Sequence, residues 1–307
     1  MASGAKLAAK LPARMLLVGY PGAGKTGSLA SLVNAGFKLR VLDFDGNLQP
    51  LLMFADKEAL KNVDVLTFED RLRLSPAGDI IEPIGKPTAF ANAFKAMNNW
   101  KYTDDDGKEV DLGKSSEWGP DTILVLDSLT AMGQSALRRA VHLANRTSAN
   151  MRDSDWGRAM SEQEGFIEAI TSNENRFHVI VLAHLKMISP NDVRKGDDDL
   201  TKTLKERVAD IIPTRLYPSA LGKQLPPLIG QHFTSVVEVK QKEMAAGKMK
   251  RVINLVSRPE LDLKLPAINL PSELDLSDGM LKIFDAITPG VKACLASKEN
   301  GTNGENK

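Results

Sequence analysis

The stretch Met15-Leu16-Leu17-Val18-Gly19-Tyr20-Pro21-Gly22-Ala23-Gly24-Lys25-Thr26 constrains this chain more than any other. An apolar run enters it, the spacing G-x-x-x-x-G-K-T follows, and an amphipathic run from Gly27 to Ala35 leaves it. The order is strand, tight loop, helix. Gly19, Gly22 and Gly24 let the backbone turn with its N–H groups facing inward, an array that suits a phosphate chain, and the helix adds the positive end of its dipole. Lys25 is placed to reach the β- and γ-phosphates and the Thr26 hydroxyl to hold Mg²⁺. The expected cradle for ATP is Gly19, Tyr20, Pro21, Gly22, Ala23, Gly24, Lys25, Thr26 and Gly27.

A second strand, Lys38 to Gly46, follows within about thirty residues, which makes a βαβ unit and a parallel sheet the expectation. Val63–Phe68, Thr122–Ser128 and Phe177–Leu185 read as further strands. The last two are apolar on both faces, as strands covered on both sides are. Helices are expected over Thr88–Trp100, 131–146, 155–172 and Leu274–Ala286. Residues 70–87 and 211–230, rich in Pro and Gly, read as irregular. Phe233–Lys240 and Lys250–Ser257 alternate and form an expected β-hairpin. The chain therefore divides into a flexible arm (1–12), a core (13–260) with an exposed insertion (101–120) and a mobile loop (186–207), an extension (261–295) and a disordered tail (296–307).

Composition sets limits. The net charge of +1 gives no global pull toward nucleic acid or membrane, so any such surface must be local. Apolar runs are strand-sized, short of the ~18 residues of a membrane span, which predicts a soluble, cytoplasmic protein with no membrane partner. One cysteine, Cys294, excludes an intramolecular disulfide and a Cys-rich zinc site. His142, His178, His184 and His232 show no ligand spacing, and no structural metal is expected.

The apolar run Ile123-Leu124-Val125-Leu126 ends in Asp127-Ser128. A carboxylate at the end of a neighbouring strand is what organises Mg²⁺ beside a phosphate loop, and Asp127 fits that role. No Glu follows it, so the base that polarises water must come from elsewhere.

These strand ends resemble the RecA family: Asp127-Ser128 in place of the Walker B end, Asp45 of Asp43-Phe44-Asp45-Gly46 where a base, usually Glu, stands, and His184 where RecA has a Gln sensor. The ordered set is more closely similar to the phage-encoded RecA-like P-loop family of nucleotide-binding, AAA-domain proteins, which includes single-strand annealing proteins of the Sak type. That likeness spans residues 13 to 260. It also includes Asp155-Trp156-Gly157 and Pro218-Ser219-Ala220-Leu221-Gly222-Lys223. The resemblance implies a RecA-like α/β core with a mainly parallel central sheet, flanking helices and a C-terminal antiparallel hairpin. It implies an Mg-dependent ATPase with Lys25, Asp45, Asp127 and His184 as catalytic residues and Thr26 and Asp127 on the metal. It further implies action on single-stranded DNA in phage-type recombination, in the host cytoplasm, with self-association into a ring or filament and a single-strand-binding protein as a possible partner.

The resemblance also implies that two segments, roughly Arg146–Arg158 and Lys186–Arg207, are counterparts of DNA-facing loops, with candidate contacts Arg152, Trp156 and Arg158 in the first and Lys186, Arg194, Lys195 and Lys202 in the second. An aromatic among cations suits stacking and phosphate contact. Acids nearly balance the bases of the second, so a solvated loop fits it equally. Lys248, Lys250, Arg251, Arg258 and Lys264 are candidates for a cation supplied to a neighbour's site. The alternatives are a helicase-like motor, a protein remodeller, and a non-catalytic nucleotide-dependent structural subunit.

Overall fold

The computed structural model describes residues 11–288, apart from 76–77, 79–80, 105, 189–213, 245–246 and 268. Along the first half run β1 (Arg14–Val18), α1 (Lys25–Ser28), α2 (Ala30–Asn34), β2 (Lys38–Asp43), α3 (Gln49–Phe54), β3 (Val63–Thr67), β4 (Leu72–Leu74), β5 (Ile81–Pro83), α4 (Ala89–Asn98), β6 (Lys101–Thr103), β7 (Glu109–Asp111) and β8 (Thr122–Asp127). The second half adds α5 (Leu129–Leu143), α6 (Asp153–Ile170), β9 (His178–Ala183), β10 (Leu185–Ile188), β11 (Arg215–Pro218), α7 (Leu225–Ile229), β12 (Ser235–Glu243), β13 (Met249–Asn254), β14 (Glu273–Asp275) and α8 (Gly279–Ile287).

The central sheet has the order β14-β13-β12-β1-β9-β8-β2-β3. Its six strands from β12 to β3 are mutually parallel, and β13 and β14 extend one edge antiparallel. Side-chain alternation explains why both faces are covered. Leu16, Leu124, Leu126, Val179 and Val181 point into one core, and Met15, Leu17, Ile123, Val125, Ile180 and Leu182 into the other. Each of these is fully or almost fully buried, which stabilises by roughly 1.5–3 kcal/mol per large aliphatic side chain. A charged residue at Leu124 would break the layer beneath α5.

Helix ends are set by local chemistry. Ser128 caps α5, its hydroxyl accepting from the Ala131 N–H. The Asp155 carboxylate accepts from the Arg152 N–H at 2.9 Å and from Arg146 at 2.6 Å, closing the first turn of α6.

Several expected irregular segments carry structure. Residues 70–87 contain the β4–β5 hairpin, pinned by an Arg73–Glu82 ion pair at 3.0 Å. Residues 211–230 contain β11 and α7; Pro226 stands in the first turn of α7, where a missing N–H leaves no bond unmade. The closing helix begins at Gly279, because residues 273–275 pair with β13 as a strand. The insertion expected over 101–120 is a hairpin, β6–β7, but Trp118 at its foot is buried edge-on against Trp100 and Phe177. Among the described residues, no helix is long and apolar enough to cross a membrane.

Candidate functional site

The carboxyl ends of β1, β8, β9 and β2 lie side by side, the place where open parallel sheets bind ligands. The loop after β1 turns on Gly22 (φ 75) and Gly24 (φ 107), both in the left-handed region that glycine enters freely. Gly19 is required for a different reason. A Cβ there would stand 2.3 Å from the Val239 carbonyl oxygen of β12.

Lys25 is buried, and its Nζ donates to the carbonyls of Gly19 at 2.9 Å and Tyr20 at 3.2 Å. Nζ also lies 3.2 Å from His184 Nδ1. Burial pushes its pKa down, opposed by the charges of Asp127 and Asp45. Thr26 donates its hydroxyl to Asp127 Oδ2 at 2.8 Å. Asp127 is pushed up to about 7 by burial, with Asp45 and Asp43 adding repulsion and the Thr26 hydrogen bond opposing it.

His184 follows β9 and is held through its backbone. Its N–H donates to Thr130 Oγ1 at 3.3 Å, and its carbonyl accepts from the Ser219 N–H at 2.7 Å. The Thr130 hydroxyl in turn donates to the Ser219 carbonyl at 3.1 Å. With Nδ1 accepting from Lys25, the ring proton lies on Nε2, which faces Asp45 Oδ2 at 4.0 Å. Burial, then the Lys25 charge, lowers the His184 pKa and favours the neutral ring. Lys25, His184 and Asp45 thus stand in a row beside Asp127, hydrogen-bonded at the Lys25–His184 step and separated by 4.0 Å at the next.

Sequence reasoning missed two contributors. Asp43 is buried in register with Asp127, and its Oδ1 accepts from the N–H groups of Asp45 at 3.1 Å and Gly46 at 2.9 Å. This Asx turn sets where Asp45 points; the Asp-x-Asp-Gly spelling was its available signal. Gln163 is the other. Fully buried on α6, it donates to the Leu129 carbonyl at 2.8 Å and accepts from the Leu221 N–H at 2.9 Å, so it fixes the segment that holds His184.

The remaining sequence candidates lie elsewhere. Arg152 is exposed at the cap before α6 and Arg158 is exposed on the helix, paired with Glu162 at 3.2 Å, while Trp156 is half-buried against the core. They sit near the far end of α5, which spans about 22 Å from its start beside Asp127. Lys186 is exposed and donates to the Gly222 carbonyl at 3.3 Å. Arg194, Lys195 and Lys202 lie outside the described residues. Of the hairpin cations, Lys250 pairs with Asp275 at 2.5 Å and Arg258 with buried Glu238 at 2.7 Å. Arg251 instead lays its stem over this chain's own loop; a Cβ on Gly24 would stand 2.8 Å from its Cδ. A cleft of about 490 Å³ opens beside it, between Gly27, Phe54, Gln241 and Leu276.

A glycine-rich loop after a central parallel strand, with a Thr–Asp pair and a buried Lys at the strand ends, defines the class of P-loop ATPases. The chain belongs to the AAA-domain family, whose family model, described as AAA domain, matches residues 11–265. No curated protein matches the chain. Among solved structures it is similar to a prototypical ATPase from the type III secretion system of pathogenic bacteria, at 14% identity and a TM-score of 0.33. The likeness covers 75% of this chain and 52% of that one, so the chain spans about half the length of that ATPase.

Proposed function

We propose that this chain binds and hydrolyses Mg·ATP and uses the cycle to act on single-stranded DNA, in annealing or strand exchange of the phage recombination type. The observation that carries the ATPase part is the Thr26–Asp127 hydrogen bond at 2.8 Å beside buried Lys25. Two oxygen ligands facing one another at a phosphate loop suit Mg²⁺, and a cation there would favour the ionised form that burial disfavours at Asp127. When bound, Mg²⁺ neutralises charge between the β- and γ-phosphates.

The chain's own groups take the other roles. The loop N–H groups and Lys25 hold the phosphates, and the nucleoside leaves over Gly27 into the cleft between Phe54 and Leu276. Asp45 polarises the attacking water. His184 ties the γ-phosphate end at Lys25 to Asp45 and, through Ser219 and Leu221, to α6.

Support for the DNA part comes from the resemblance and from the exposed cations Arg152 and Arg158 on either side of half-buried Trp156. The same resemblance supports self-association into a ring or filament. A second reading, a remodeller of proteins, is favoured by one observation. A largely apolar cleft of about 300 Å³ lies between the β4–β5 hairpin and the end of α5, lined by Leu72, Ile81, Leu137, Val141 and Met151.

Phosphate release measured with and without single-stranded DNA, at two salt concentrations and beside Lys25→Ala, separates the two. Stimulation that weakens with salt and vanishes in the variant is expected, because phosphate contacts are salt-dependent. Turnover indifferent to DNA, with no DNA binding at low salt, would contradict the DNA role, and stimulation by protein alone would favour remodelling.

A further inference from the structure

The second half of α6 carries two metal-ligating side chains that the nucleotide site does not use, and a third faces them from a neighbouring turn. Glu164 and Glu168 are four residues apart and share one face of the helix. His232 comes from the one-turn helix Gly230–His232 that leads into β12, and its Nε2 lies 3.4 Å from Glu164 Oε1. One ligand atom from each of the three lies within 4.8 Å of the others. A further observation concerns the imidazole alone. His232 Nε2 is sealed from solvent and has no hydrogen-bond partner, although the His232 side chain is 12% exposed. A buried ring nitrogen normally has a partner.

We propose that Glu164, Glu168 and His232 bind a divalent transition-metal ion of the Zn²⁺ class, which staples α6 to the turn preceding β12. Ligand atoms about 2.0–2.2 Å from a tetrahedral ion stand roughly 3.3–3.6 Å apart, and the His232–Glu164 separation matches. One imidazole nitrogen with two carboxylate oxygens distinguishes this set from the all-oxygen pair Thr26 and Asp127, which suits Mg²⁺. The fourth position is left to solvent. Gln163, next to Glu164, is the residue that locks α6 to Leu129 and Leu221, so the staple tightens the helix behind His184. The proposal does not depend on ATP hydrolysis.

The test uses the full chain, stripped with chelator and titrated with Zn²⁺ and, for its visible spectrum, Co²⁺. One ion per chain is expected, with the absorption of a low-coordination Co²⁺ site and a Zn²⁺-dependent rise in unfolding temperature. Glu168→Gln, at an exposed position that leaves the fold intact, and His232→Gln should each weaken Zn²⁺ binding by about tenfold or more. Asp127→Asn should leave it unchanged. Absence of binding at micromolar Zn²⁺, equal affinity in Glu168→Gln and His232→Gln, or loss of binding in Asp127→Asn would each overturn the assignment.

Discussion

Asp127→Asn is expected to lower ATP turnover by on the order of 10²–10³-fold while the metal-free chain folds at least as stably as the parent. The two effects share one cause. A carboxylate only 4% exposed at the end of β8, facing Asp45 and Asp43, is poorly placed to be ionised without a cation. Because its folded pKa, about 7, lies above the unfolded value of 3.8, it withdraws stability as pH rises from about 4 through 7. Asn removes the charge and still accepts from Thr26, but it is a weak Mg²⁺ ligand. Phosphate release and thermal unfolding without Mg²⁺ check both halves. Wild-type turnover, or a clearly lower unfolding temperature, would count against this account of the site.

The second large effect is acid destabilisation through His178. This histidine is 1% exposed at the start of β9; its Nδ1 accepts from the Ala13 N–H at 2.8 Å, and its Nε2 donates to the Pro120 carbonyl at 2.9 Å. Phe37 and Phe284 meet its ring edge-on. Burial pushes its pKa down to about 4, against a usual 6.5. The folded state thus requires the neutral ring. Its contribution is complete above pH 6.5 and is lost as pH falls toward 4, a change of about 3 kcal/mol from this group. Urea unfolding across that window should show the loss in the parent. In His178→Gln, weaker at pH 7, the pH slope should be shallower by that amount. Equal slopes in the two proteins would show that His178 is not the titrating group.

The sequence made legible what is encoded by neighbouring residues. The P-loop is a contiguous spelling, and Asp127 announces itself because an apolar run of this kind ends in an acid at the same edge of the sheet. What sequence could not show depends on distant chain segments meeting. Gly19 needs to be glycine because Val239, more than two hundred residues later, brings a carbonyl against it. Arg251 is one of five candidate cations in or after the hairpin with nothing in the sequence to single it out, and only the fold of β13 shows that its stem lies on the loop of its own chain. Trp118 sits among polar residues that suggested exposure, but its neighbours in space are Trp100 and Phe177. The role of Ser219 was likewise hidden, because β10 and β11 pair although they lie far apart in sequence.

The most direct test of the central claim is calorimetric titration of the parent and of Lys25→Ala with Mg·ATP. Saturable binding of one nucleotide per chain is expected of the parent. In Lys25→Ala, where the loop loses its cation at the phosphates, affinity should fall at least about tenfold, with an unchanged circular dichroism spectrum. No binding by the parent, or equal binding by both proteins, would contradict the claim.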